Sequence, residues 1–336
     1  MCNHATTLDP FFVSLSFKRP VYFYASDDLF NIKFVSPIIR YLAAPIPKSK
    51  SVKDLQAVRD SLTVLKEGGI VGLFPEGNRT YSGGQWEITD AAAKLAKLCK
   101  APLILYNIQG GYGSDPRWGK KTRKGKMLGY VKRVLSAEEL KSLSVPELFE
   151  IIKTELNVDD TLSGVKFKSR RRAENIERVL YMCPKCGAVS AIQSHKSRFK
   201  CRNCGAEWTY NEDLSISPSE NFSRVYEWHE WEKSELKKRA ERNEIRFEDR
   251  DIKFFKSVRL KRKERLDGRS IAADASGITV IGKKSAFYPF SQMTALTVVG
   301  KRKFNFYVDG EILQIKGGKR FCALKYLHLF EVSNDV

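Results

Sequence analysis

The sequence contains no apolar run of the roughly 18 consecutive residues that a membrane-spanning helix requires. It opens Met1-Cys2-Asn3-His4, without the basic and apolar regions of a secretory leader. Acidic residues are short against basic ones: 39 Asp+Glu face 59 Lys+Arg, for a formal charge of +20. The excess is uneven, +6 over residues 1–160 and +14 over residues 161–336. Such a surface seeks a polyanion, either nucleic acid or an anionic membrane leaflet, and charge alone does not choose between them. Cysteines number only seven, and four of them form two Cys-x-x-Cys units. That pattern argues for metal rather than disulfides, and for a reducing compartment. What is present is enough apolar material, 42%, for packed cores, in a chain of 336 residues that suits two or three domains.

One stretch organises the first half: Phe74-Pro75-Glu76-Gly77-Asn78-Arg79-Thr80. It follows the apolar run Ile70-Val71-Gly72-Leu73, so it reads as a buried strand entering a tight turn. Pro75 ends strand pairing because it has no N–H. Gly77 lets the backbone pass close to a ligand. Glu76 and Arg79 emerge where a strand stops, and the planar fork of Arg79 suits phosphate or carboxylate. Taken alone, the turn also reads as a strand end with a surface ion pair. Near the N-terminus stands His4-Ala5-Thr6-Thr7-Leu8-Asp9. If that loop folds back, the Asp9 carboxylate fixes one imidazole tautomer and leaves the other nitrogen to take a proton.

His-x-x-x-x-Asp followed by Phe-Pro-Glu-Gly-x-Arg-Thr resembles the glycerolipid acyltransferases, the 1-acyl-glycerol-3-phosphate acyltransferase type in particular. The resemblance covers residues 1–160. It implies an α/β domain there, a mixed sheet flanked by helices, which agrees with the alternation of strands and helices in the apolar pattern. It implies His4 as general base oriented by Asp9, with Glu76, Gly77 and Arg79 around the acceptor. In the family a strand leads into the histidine. Only three residues precede His4 here, so either the start of the chain lies upstream or the protein does without that strand. Where the family has a further arginine for the acceptor phosphate, this chain has Lys48 and Lys50, which bind phosphate as point charges. The same lysines also read as solvated loop residues.

Along the chain, Asp9-Pro10 marks a helix start, and Phe11 to Phe17 is expected to be buried. Val21 to Ala25 reads as a strand, 27–42 and 51–66 as helices, 88–100 as a helix, 103–107 and 128–134 as strands, and 137–156 as one or two helices. The basic loop of residues 120–126 suits an anionic donor or lipid headgroups, or is a solvated charge run.

Cys183-Pro184-Lys185-Cys186-Gly187 and Cys201-Arg202-Asn203-Cys204-Gly205 place four thiolates in two knuckles that match tetrahedral zinc. Four cysteines close the coordination shell, so this zinc is structural, and no catalytic metal is implied. The 14 intervening residues are slightly fewer than the usual ~15–20 of a zinc ribbon. His195 is then spare. Residues 219–243 form an amphipathic helix whose Trp228 and Trp231 face either a neighbouring domain or a membrane interface. From Asp251 short strands alternate with turns and end in a helix at 320–331, a pattern similar to a pleckstrin-homology barrel. Lys261-Arg262-Lys263 and Lys301-Arg302-Lys303 there suit anionic lipid or are edge-strand charges. The expected domains are thus 1–160, a zinc ribbon at 180–210, a linking helix at 218–247 and a β-rich barrel-like domain with a C-terminal helix at 251–336.

The activity implied by the resemblance is acyl transfer from acyl carrier protein or coenzyme A to lysophosphatidate, at the inner face of the cell membrane, with an anionic leaflet as partner. Nucleic acid is not an expected partner of that enzyme. The alternative is a non-catalytic zinc-ribbon module on a degenerate scaffold, binding nucleic acid or anionic membrane.

Overall fold

Strand and helix alternate from the start of the chain, as the spacing of apolar residues predicts. The protein is described by a computed structural model over residues 1–26, 45–48, 55–257 and 263–334. The helix expected over 27–42, Lys50, Lys261 and Arg262 lie outside the described residues, as does the side chain of Lys48. The chain divides into two units, Met1–Pro116 with Lys124–Phe167, and Arg117–Arg123 with Lys168–Val336.

The first unit runs α1 (Asp9–Ser14), β1 (Val21–Ser26), β2 (Ile46–Lys48), α2 (Leu55–Lys66), β3 (Ile70–Gly72), α3 (Ala91–Cys99), β4 (Leu103–Gln109), α4 (Gly111–Ser114), β5 (Leu128–Leu135), α5 (Ala137–Ser142) and α6 (Val145–Glu155). Strands β2, β1 and β3 pair in parallel in that order, while β4 and β5 form an antiparallel ribbon. Residues 1–3 bridge the two. The Cys2 amide donates to Leu73 O at 3.0 Å, and the Tyr106 amide of β4 donates to Met1 O at 2.9 Å. The Asn3 side chain continues the ladder as a peptide would. Its Nδ2 donates to Ile108 O at 2.9 Å, and the Ile108 amide donates to its Oδ1 at 2.8 Å. Residues 1 and 2 thus pair through their backbone, and Asn3 through its side chain. Beneath them lies a core of Cys2, Val13, Val21, Phe23, Phe74 and Tyr106. A second core joins α3, α6 and β4 through Ala93, Ala96, Leu105, Leu148 and Ile152. Helices α5 and α6 each start with a Ser/Glu capping box.

The short helix α1 is not buried as expected. Asp9 and Val13, four positions apart, take its single inward face. Phe11 stays 53% and Leu15 85% exposed.

The second unit opens with β6 (Ile192–His195), β7 (Arg198–Cys201), β8 (Glu207–Tyr210) and β9 (Ile216–Ser217), one antiparallel sheet. Helix α7 (Val225–Glu241) follows. Its Trp228 is buried against Phe199 and Trp208 and donates its indole N–H to Met182 O at 2.9 Å, so it packs within the unit rather than at an interface with lipid. Then come β10 (Phe247–Arg250), β11 (Lys253–Ser257), β12 (Glu264–Leu266), β13 (Ser270–Asp274), β14 (Gly277–Ile281), β15 (Ser285–Pro289), β16 (Met293–Val299), β17 (Lys303–Val308), β18 (Glu311–Lys316) and α8 (Leu324–Asn334). These strands form two sheets, β10-β13-β14-β15 and β12-β11-β18-β17-β16. The expected barrel is not closed. Among the described residues no ladder joins the sheets, and the chain passes from β15 to β16 through the helical turn Phe290–Gln292 instead of a hairpin.

Helices α7 and α8 bring together a fully buried polar group. The rings of His229 and His328 lie 4.9 Å apart, and Tyr181 Oη is 3.0 Å from His328 Nδ1. Glu232 accepts the Met182 amide at 2.6 Å. Burial, with Lys233 nearby, pushes His229 down from 6.5 to about 3, and burial lowers His328 as well. Burial raises Glu232. Below pH 6.5 the unfolded chain takes protons that the folded histidines refuse, so their contribution to stability falls as pH falls from 6.5 toward 3. Glu232 has the opposite sign above its ordinary carboxylate range, where the folded state keeps a proton the unfolded state loses. Each histidine supplies up to about 1.4 kcal/mol per pH unit. Denaturant titrations of this unit's unfolding from pH 7 to 4 are expected to show His229→Gln losing about one proton's worth of that slope.

Candidate active site

Three tethers place His4. Its amide donates to Glu76 Oε1 at 2.8 Å, and its carbonyl accepts the Thr80 amide at 3.0 Å. Its ring stacks on Phe74, centroids 4.4 Å apart. The Phe74–Thr80 turn thus seats the histidine. Glu76 is buried and also accepts the Trp86 amide, through Oε2, at 2.8 Å. Burial pushes its carboxyl up to about 8, against the pull of those two amides. Gly77 adopts φ +62, and a Cβ there would meet open space. That positive φ is the left-handed region that favours glycine.

Asp9 is fully buried at the start of α1. One oxygen, Oδ2, lies 2.8 Å from His4 Nδ1 and accepts the Ala5 and Thr6 amides at 2.7 and 2.9 Å. The other accepts the Thr6 hydroxyl at 2.6 Å. Four donors hold this carboxylate, so the His4 ring has a fixed orientation with Nδ1 turned to the acid. The arrangement suits a base whose proton-accepting atom is Nε2.

Arg79 is a clamp. Its Nε donates to Ala5 O at 2.9 Å, Nη1 to Thr7 Oγ1 at 2.7 Å, and Nη2 to Asp115 Oδ2 at 2.9 Å and to Asp115 O. Nε and Nη1 hold the His4–Asp9 loop, and Nη2 ties it to Asp115. A lysine cannot reach three acceptors at once. Arg79→Lys is expected to cost about 1.5–3 kcal/mol, the usual worth of a charged hydrogen bond, read as a drop in melting temperature of the first unit together with lower turnover.

The structure therefore brings His4, Asp9, Glu76, Gly77 and Arg79 together. Lys48 ends β2, its side chain outside the description, and Lys50 lies outside the described residues. Sequence reasoning missed Asn3, Thr6 and Asp115. The histidine motif placed Asn3 and Thr6 within reach, whereas nothing local marks Asp115 as the partner of Arg79. Beside the site a cavity of about 10 Å³, the size of one water, is bounded by His4, Glu76, Gly83, Tyr112 and Asp160.

In the second unit, Sγ of Cys183 and Cys204 are 3.7 Å apart, as are those of Cys186 and Cys201, and all four sulfurs lie within 4.8 Å of one another. A tetrahedron with metal–sulfur bonds of ~2.3 Å has edges of ~3.8 Å, while a disulfide needs ~2.05 Å. The donor set fits a metal ion. Gly187 and Gly205 follow the knuckles at φ +69 and +74.

Residues 1–108 match the family model described as Acyltransferase. The match stops short of β5 and of the whole second unit. A 1-acyl-sn-glycerol-3-phosphate acyltransferase of Bacillus subtilis (strain 168) is 28% identical over 128 residues, 38% of this chain and 60% of that protein. The one from Borreliella burgdorferi (strain ATCC 35210 / DSM 4680 / CIP 102532 / B31) is 27% identical over 111 residues, 32% and 44% of the two lengths. This chain thus spans about half the length of these curated relatives. The solved 1-acyl-sn-glycerophosphate (LPA) acyltransferase PlsC from Thermotoga maritima is 22% identical with a TM-score of 0.37, over 46% of this chain and 63% of that one.

Proposed function

We propose that the first unit transfers an acyl group from a thioester to the free hydroxyl of 1-acyl-glycerol-3-phosphate. The observation that carries this reading is the His4–Asp9 pair, held by four donors to Asp9 and seated by Glu76. The acyltransferase match over residues 1–108 and the activity for which both curated relatives are named support it.

In the proposed reaction His4 Nε2 removes the hydroxyl proton. The oxygen attacks the thioester carbonyl, the carbon–sulfur bond breaks, and the thiolate leaves with the proton that His4 returns. Asp9 stabilises the imidazolium between these steps. The histidine activates the acceptor directly, so no acyl-enzyme is required. Lys48 and Lys50 are the proposed contacts for the acceptor phosphate. Arg79 joins them only if it frees part of its fork from Asp115.

Coenzyme A and acyl carrier protein are both proposed donors. Leu8, Phe11, Phe12 and Leu15 are exposed on and beside α1, next to Asp9. They suit contact with the lipid phase in which a lysolipid acceptor resides, and with it a peripheral position at the inner face of the cell membrane. Among the described residues no helix is long and apolar enough to cross a membrane. The four cysteines are proposed to hold zinc, whose shell they fill, so it supplies folding energy to the second unit and takes no part at His4.

The test is incubation of the full chain with lysophosphatidate and, in parallel, acyl coenzyme A and acyl carrier protein, with phosphatidate read by mass spectrometry. Phosphatidate from either donor is the expected result. A chain loaded with metal and folded, yet silent with both donors, would overturn the reading.

A further inference from the structure

The second unit contains a cleft of about 470 Å³ that no part of the acyl-transfer chemistry uses. That volume is in the range of small-ligand sites. Loops from separate elements converge on it. Lys120 comes from the 117–123 segment, and Arg178 from the turn Ile176–Arg178. Lys301 and Arg302 come from the β16–β17 connection, and Lys319 and Arg320 from the stretch between β18 and α8. His195, the histidine left over by the cysteine cluster, ends β6 at its rim. Six fixed cations thus face two carboxylates, Glu174 and Glu177.

The carboxylates are already committed. Glu174 pairs with Lys120 at 3.2 Å and with Arg171 at 3.5 Å. Glu177 pairs with Arg320 at 3.4 Å and accepts the Ser194 hydroxyl. Arg178 is buried and donates to the carbonyls of Trp118 and Lys319 at 2.9 and 3.1 Å. Lys301 donates to Gly119 O at 2.6 Å. Among the described residues no carboxylate pairs with Arg302 or Lys319. The surplus of positive charge is felt inside: burial first, and Arg302 second, push the Arg178 guanidinium down to about 10.

Such a surplus is costly unless a counter-charge fills it. A single carboxylate would leave most of it in place, whereas phosphate carries two charges and matches the arginine fork. We infer that this cleft binds a multiply charged phosphate group, presented by a soluble phosphate ester or by a phosphorylated lipid headgroup, through Arg302 and Lys319. The inference is independent of the reaction at His4.

The experiment uses the full metal-loaded chain. In one arm inorganic pyrophosphate is titrated calorimetrically at low ionic strength. In the other, flotation compares phosphatidylcholine vesicles doped with phosphatidate, a phosphomonoester, against vesicles doped with phosphatidylglycerol, a phosphodiester. The double variant Arg302→Gln/Lys319→Gln is set against Lys283→Gln/Lys284→Gln, which removes equal charge from exposed positions outside the cleft. Pyrophosphate binding weakened about tenfold or more by the cleft variant alone is expected for a soluble ligand. Preferential capture of phosphatidate vesicles, lost in the cleft variant alone, assigns a lipid headgroup. Equal behaviour of the two double variants in both arms, or no binding by the wild-type chain in either, overturns the site. Melting temperatures of all three chains establish that the variants fold.

Discussion

Alanine at His4 is expected to lower phosphatidate formation by about two to four orders of magnitude, the usual contribution of a general base. Chain stability should change little by comparison. The substitution removes the ring stacked on Phe74, worth about 0.5–1.5 kcal/mol, and one of the four donors to Asp9, but keeps the backbone bonds to Glu76 and Thr80 and the other three donors. Asp9→Asn is the sharper companion. An amide in place of the carboxylate would face the same four donors with one acceptor oxygen, so the loop shifts and the wrong imidazole tautomer is favoured. A loss of comparable size, approaching about 10⁴, is expected. Because the two residues act as a unit, the double variant should be little worse than either single one. Turnover at saturating lysophosphatidate, measured for all four chains, checks this. Activity within a few-fold of wild type in His4→Ala would remove the histidine from the chemistry.

Chelation of the zinc proposed for the four cysteines, or Cys183→Ser, should unfold the knuckles and much of what rests on them. Structural zinc contributes about 10–16 kcal/mol in small zinc-binding peptides. Even partial loss exceeds the marginal stability of most domains. The knuckle residues also anchor their surroundings: the Cys183 amide bonds Ala188 O, and the Met182 carbonyl next door accepts the Trp228 indole. A fall in the melting temperature of the second unit by about 10 °C or more is expected, since each kcal/mol moves a unit of this size by about 2–4 °C. Elemental analysis should return one zinc per chain, lost in Cys183→Ser and Cys201→Ser. A metal-free chain that melts unchanged would make the four cysteines an accidental cluster.

The turn that organises the site was legible because its chemistry is local. Proline, glycine and the apolar run before them fix a strand end by themselves, and a histidine five positions from an acid needs only one loop to close. The cysteine knuckles were legible for the same reason. What escaped is long-range. Arg79 offers the same fork to a phosphate as to Asp115, and only the fold selects between them. Phe11, Phe12 and Leu15 look like core residues in a sequence, yet they are exposed, because a six-residue helix has one inward face to give. Strand β10, Phe-Glu-Asp-Arg, went unseen because three of its four residues are charged, and its place is set by pairing with β13. The two open sheets were not legible because strand content says nothing about which edges meet.

The tethers of His4 have one more consequence, for where the site begins and ends along the chain. Asn3 reaches Ile108, His4 reaches Glu76, and the Arg79 clamp reaches Asp115. No short peptide holds this arrangement. Any excised piece must run unbroken from the first residues past Asp115 to contain the histidine, its acid and the clamp together. The motif residues all lie by position 80, but the clamp that holds their loop is completed by an aspartate that belongs to no motif.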